Sequence, residues 1–184
     1  MVFLGKMALV LALVLGFASL TYVSQVRAEE MPAGPNDSQI AHISVTANQV
    51  DADAAVVALK ISKNKEIRAF AEQMKKDHLN IRDQAMALAK KLKVSPEDND
   101  TSKGLKSGGD QNLKNLGTLK GKEFDKHYID HEVEYHEAVI SAIEKILVPN
   151  SKNVELKKLL ESIVAPLKTH LEHAKKVQAA FSKG

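Results

Sequence analysis

Apolar residues recur at steps of three and four along four stretches of the chain, and that spacing predicts four amphipathic helices. The first spans about Ser38 to Ile61, with Ile40, Ile43, Ala47, Val50, Ala54, Val57 and Ile61 on one face. Asp37 or Ser38 can cap it. The second, about Lys65 to Lys93, repeats the pattern through Ile67, Phe70, Met74, Ile81, Ala85, Leu88 and Leu92. Asn64 is placed to cap it, and Glu66 puts a carboxylate in the first turn, where the helix dipole favours it. A third helix is expected over about Lys122 to Leu147, stopping at Pro149, and a fourth over about Asn153 to Phe181. Pro166 inside the fourth removes a backbone donor and predicts a kink.

Between the second and third helices the pattern breaks. Residues 94–121 hold Ser95-Pro96, Asp98-Asn99-Asp100 and five glycines. They read as a polar crossover linker, with at most a short helical piece near Gln111 to Leu116. The other two connections are only a few residues long, which forces antiparallel neighbours, whereas 28 residues can travel the length of a bundle. The expected fold is therefore all-α: a four-helix bundle of two antiparallel helical hairpins joined by a long crossover linker.

The N-terminus follows a different rule. Met7 to Leu20 is almost wholly apolar behind Lys6, and Val26-Arg27-Ala28 offers a small-residue cleavage pattern, so residues 1–28 read as a secretion signal. The apolar run is shorter than the roughly 20 residues a spanning helix needs. Retention as an anchor is the minority reading. Cleavage near Ala28 would deliver residues 29–184 to the periplasm or the exterior, with 29–36 as a short disordered tail, 37–184 as the bundle and no stable membrane span.

Composition narrows the chemistry. Without cysteine there are no disulfides, thiolate metal sites or thiol nucleophiles. The formal charge falls from +3 to +1 once Lys6 and Arg27 are removed, with both signs interspersed, so no nucleic-acid footprint is present. Lys90-Lys91 and Lys157-Lys158 read as solvated helix faces.

Advancing ~100° per residue around each helix exposes a second pattern, of polar groups on apolar faces. His136 falls at the centre of the stripe Ile129, Val133, Ile140 and Ile143, with Glu132 one turn earlier. Asp77 and His78 straddle the Met74–Ile81 line. His170 lies within the arc of Ile163, Leu167, Leu171 and Ala174, with His173 at its edge. Asp51 lies near the margin of the first helix's apolar face. His42, His127 and His131 point outward. Buried imidazoles and carboxylates need partners, and the economical arrangement is that these groups meet. Singly each has a bland reading: a core histidine bonded to a carbonyl, a helix-stabilising Glu132–His136 pair, and Met74 as core filler rather than a haem ligand. Jointly they make His78, Glu132, His136 and His170 candidate ligands of one transition-metal ion, with Asp51, Asp77 and His173 as supporting or alternative ligands. Imidazole with carboxylate suits copper, zinc or iron more than calcium or magnesium.

Several runs also carry a family resemblance: Asn48-Gln49-Val50-Asp51, Ala69-Phe70-Ala71-Glu72-Gln73-Met74 followed by Asp77-His78, Phe124 to Val133 with Tyr135-His136, and Leu171-Glu172-His173-Ala174 after His170. As a set, from about Asp37 to Phe181, they resemble the domain-of-unknown-function family 4142, bacterial envelope proteins assigned to the ferritin-like superfamily. The resemblance implies a ferritin-like bundle and no particular reaction. The superfamily's di-iron site needs Glu-x-x-His on two helices. Here Lys75, Val133 and Leu167 stand three residues before His78, His136 and His170, so ferroxidase chemistry does not carry over and no catalytic residue is assigned.

Three functions stay open on the sequence: an envelope protein acting by binding a metal ion or a protein partner, a metal-dependent oxidoreductase using the same residues, and a purely structural or stress-protective protein. A pocket reaching the imidazoles would favour the enzyme, and a sealed, mutually hydrogen-bonded network the other two.

Overall fold

The computed structural model describes residues 34–181. The expected secretion signal and most of the expected tail lie outside them. Within them, α1 spans Asp37–Ile61, α2 Lys65–Leu92, α3 Asp100–Thr118 and α4 Gly121–Ala142. A π-helical turn, Ile143–Leu147, and the short α5, Val148–Asn150, prolong α4, and α6 spans Val154–Phe181. The protein is all-α, and among the described residues no helix is long and apolar enough to cross a membrane.

The helix ends follow local chemistry. Asn36, rather than Asp37 or Ser38, caps α1 in a reciprocal capping box with Gln39. Asp37 is thereby free to act at a distance. Its carboxylate accepts from the backbone N–H groups of Lys152 and Asn153 (2.9 and 3.0 Å), tying the start of α1 to the turn before α6. Asn64 caps α2 as expected. The helical path after α4 runs on to Asn150, past the stop predicted at Pro149. Pro149 has no N–H to donate, and the widened π turn just before it takes the chain out of the regular i→i−4 ladder. The last long helix, α6, runs through Pro166 as one element.

The crossover is the main departure from expectation. Residues 100–118 form a 19-residue helix rather than a loop with a short helical piece, so the described residues form five long helices. The glycines argue against a helix here, at roughly 1 kcal/mol apiece in a helix interior. Two compensations win. Asn99 and Ser102 form a capping box, and Ser102, Gly109, Asn112 and Leu116 make a buried stripe at helical spacing. Gly109 is required there, because a Cβ would lie 2.7 Å from Val50 Cγ1 on α1. Gly104, Gly108 and Gly117 meet nothing within 4 Å.

Two apolar clusters fix the direction of every helix. One joins Ala54 and Ala58 of α1 to Ile67, Phe70 and Met74 of α2, Phe124 and Tyr128 of α4, and Ala174 and Val177 of α6. The other joins Ile40 and Ile43 to Ile81, Ile140 and Leu147, and Leu156 to Leu167. Thus α1–α2 and α4–α6 are antiparallel hairpins, α2 and α4 run parallel, and α3 returns alongside α1. Between the clusters, each of the four core helices places a buried polar residue at one height. These are Asp51 between Ala47 and Ala54, His78 between Met74 and Ile81, His136 between Val133 and Ile140, and His170 between Leu167 and Ala174.

Candidate metal centre

The polar layer is almost dry. Asp51 and His170 are 2 % exposed, His78 3 %, and Glu132 and His136 1 %. Regular helix geometry puts them there: each occupies an apolar-face position in its own heptad, so burial follows from neighbours rather than from its own polarity. The three imidazoles pack as a triangle with ring centroids 5.3 to 5.6 Å apart. One ring nitrogen from each lies within 4.8 Å of the others. Asp51, Glu132 and His136 form a second such group, so His136 belongs to both.

Hydrogen bonds settle which nitrogen of each ring carries a proton. His78 Nδ1 lies 2.9 Å from Asn48 Oδ1. The Asn48 amide nitrogen donates to Ser44 O (2.8 Å), which turns its oxygen toward the ring. An amide oxygen only accepts, so Nδ1 of His78 is the donor and Nε2 holds the lone pair. His136 Nδ1 likewise donates to the Glu132 backbone carbonyl at 2.9 Å, leaving its Nε2 lone pair. His170 Nε2 donates to Asp77 Oδ2 at 3.0 Å, and its buried Nδ1 has no hydrogen-bond partner.

The result is an arrangement that does not satisfy itself. His78 Nε2 and His136 Nε2 face each other at 3.4 Å, both as acceptors. Asp51 Oδ2 lies 3.4 Å from the first and 3.9 Å from the second, too far for strong hydrogen bonds. Neither carboxylate oxygen of Asp51 has a hydrogen-bond partner, nor does Glu132 Oε2. A buried polar atom left unpaired costs about 1–3 kcal/mol. Several such atoms on one layer are a large fraction of the roughly 5–15 kcal/mol that holds a domain folded. Acceptors outnumber donors here: the Tyr128 hydroxyl adjoins Glu132, but both Asp51 oxygens and the two facing ring nitrogens meet no donor, an electrostatic setting that favours a cation.

Burial also sets the protonation of the layer. It raises the Asp51 carboxyl from 3.8 to about 6, against the pull of His136 and His170. Burial, then the charge of Asp51, pushes Glu132 well above the usual carboxylate range. Burial drives His78 down to about 3 and also lowers His136. Both rings are therefore neutral at physiological pH, the form in which imidazole binds a metal.

The other sequence candidates separate into supports and outsiders. Asp77, half-buried, orients His170 rather than joining the cluster. His173 pairs with Gln73 at 3.2 Å, packs edge-on to Phe70 and joins neither group. His131, expected to point into solvent, is half-buried beneath α3, where it lies 3.3 Å from Asn112 and stacks on Tyr135. It does point away from the core, but α3 covers it. His42 faces exposed Asp98 at 3.6 Å. Sequence reasoning misses Asn48 as a partner, although it sits three residues before Asp51 on the same face. It misses Tyr135 as well, whose hydroxyl donates to Ala47 O at 2.9 Å and ties α4 to α1 beside the site.

An elongated, largely apolar cavity of about 250 Å³ reaches this layer from one side, with Asn48 and His78 in its wall.

Comparison with known proteins matches the sequence pattern of the family described as "Domain of unknown function (DUF4142)" to residues 23–177. No curated protein matches the chain. Among solved structures, a DUF305 fragment from Deinococcus radiodurans superposes with a TM-score of 0.67 at 14 % identity, over 81 % of this chain and 99 % of its own. A DUF305 protein from Streptomyces coelicolor gives a TM-score of 0.65 at 17 % identity, over 79 % of this chain and 92 % of its own. At such identities the likeness speaks for the shared helical fold alone.

Proposed function

We propose, for a chain that belongs to the DUF4142 family of unknown function, that it is an exported envelope protein which binds one transition-metal ion. The ion lies between His78, His136 and His170, with Asp51 or Glu132 completing the set. The observation that carries this reading is the fixing of three tautomers by outside acceptors, which leaves one lone pair on each ring where ring nitrogens of all three lie within 4.8 Å of one another in a buried layer. Imidazoles that ligate a metal characteristically donate their second N–H to a carbonyl or carboxylate, as all three do here. Three nitrogens and a carboxylate favour zinc, copper(II) or iron over calcium and magnesium. Binding would strip the proton from Asp51 or Glu132, so affinity should weaken as pH falls below about 6. The parallel α2 and α4 and the long crossover between the hairpins support a ferritin-like reading of the topology.

A metal-dependent oxidoreductase is the second reading, favoured by the cavity that reaches His78. A protein partner in the envelope has no observation of its own behind it.

One preparation tests export and binding together: untagged protein from the extracytoplasmic fraction, analysed by intact mass and by elemental mass spectrometry. The expected result is a chain beginning at Glu29 that carries or takes up one equivalent of zinc, copper or iron. The His136→Ala variant should keep its helix content by circular dichroism and bind none. Full uptake by that variant would overturn the site, and an uncleaved chain would overturn the proposed processing.

A further inference from the structure

The cavity beside His78 is larger than metal binding requires. Its 250 Å³ exceed the roughly 150 Å³ that suffice for benzene in a dry apolar core. Along α4 and its π turn the wall runs from Tyr135 to Leu147, a length of roughly 18 Å on a helix, so it is a slot rather than a sphere. Ile43, Ile143, Leu160 and Leu167 form its sides. The π turn supplies one flank, and such turns recur at functional sites because they re-aim side chains without ending a helix. Exposed Thr101 and Ile146 (47 % exposed) stand at the outer end.

Two features define the occupant. Among the described residues no Lys, Arg, Asp or Glu lines the slot, so nothing in its wall would neutralise a charged head group. The inner end is nevertheless polar. Ser44 is 4 % exposed, and its Oγ has no hydrogen-bond partner although it lines the cavity near Asn48 and His78. A hydroxyl can both give to and accept from a serine oxygen. A carboxylate there would be buried without a counter-ion, within reach of the field of Asp51.

We infer that the slot binds a medium-chain aliphatic molecule with an uncharged hydroxyl head, the head at Ser44 and the chain running outward between α1, α4 and α6. The slot shares His78 with one of the metal groups, but His136, which both groups share, is not in its wall, so the two sites can be separated by substitution.

The probes are 1-octanol and octanoate, titrated calorimetrically into the metal-free full chain at neutral pH. Octanol should bind saturably at one site, and octanoate weaker by on the order of tenfold or more. Ser44→Ala should weaken octanol roughly five- to tenfold, the worth of one hydrogen bond. Ala142→Phe should fill the slot and abolish binding, and Ala47→Leu provides a second filling variant if the first disturbs folding by circular dichroism. His136→Ala should bind octanol as the wild type does, which separates this proposal from the metal reading. Absence of saturable octanol binding, or affinity unchanged in both Ser44→Ala and a folded filling variant, overturns the site. Octanoate binding as tightly as octanol overturns the uncharged head.

Discussion

Two histidine–carboxylate groupings in this protein use the same residue types and differ only in surroundings. At the surface, His42 faces Asp98 at 3.6 Å, with side chains 32 % and 54 % exposed. In the core, His78 faces Asp51 at 3.4 Å, with side chains 4 % and 0 % exposed. Water can complete the shells of the first pair, so the pair itself is worth little. In the second, bulk water is excluded, so every lone pair must find a protein group, a trapped water or an ion, and several find no protein group. Residue type is therefore a poor guide to which histidines matter. The number of acceptors that share one dry volume is a better one.

The comparison can be pressed hardest through pH. Folded Asp51 keeps its proton up to about 6, while an unfolded Asp loses it near 3.8. Between those values the folded state binds more protons, so the Asp51 contribution to stability falls as pH rises and stays lost above the window. Asp51→Asn removes that penalty. In metal-free protein the variant should gain on the wild type by on the order of 2–3 kcal/mol from pH 4 to pH 7, read from urea midpoints. A constant difference between the two across that range would show that Asp51 is not dehydrated in solution. His78 contributes the opposite trend, since a ring held down to about 3 loses stability as pH falls through 6.5. The pairwise comparison with Asp51→Asn cancels most of that term.

A smaller effect is expected at Asp77, which touches the site only through His170. Asp77→Ala should loosen the ring and lower metal affinity roughly 10–100-fold while leaving a stoichiometry of one. Unchanged affinity would remove Asp77 from the site's support. The smallest effect belongs to the surface pair. His42→Ala should leave metal stoichiometry intact and shift stability by no more than about 0.5 kcal/mol. A loss of metal in that variant would place the binding site on the wrong face of α1.

Much of this is legible in the sequence, and the reason is regularity. Asp51, His78, Glu132, His136 and His170 sit on continuous helices, where angular position largely decides direction, and all five are buried as that position implies. Connection lengths disclose two hairpins and a crossover for the same reason: a few residues cannot span a bundle, and 28 can. What stays hidden depends on contacts between distant segments. Nothing in the local sequence says that Gly109 makes room for Val50, so its neighbouring glycines read as helix breakers. With a loop expected in place of α3, the burial of His131 beneath it is invisible too. Asp77 and His173 lie no farther from their apolar stripes than true candidates. Only the reach of Asp77 to His170, and of His173 to Gln73, separates them from the cluster.

The crossover helix also has a consequence for how the chain assembles. Each hairpin is stitched by local contacts and can form early, whereas the triad requires partners as far apart in sequence as His78 and His136, 58 residues. Contacts of that separation form late, after the chain has borne the entropy of closing the loop between them. Asp51 and His78 arrive on one hairpin, Glu132, His136 and His170 on the other. An ion held between them would act on the last joint to close and the first to open. It should leave the folding rate nearly untouched and slow unfolding, so that the protein's lifetime would track the occupancy of the site.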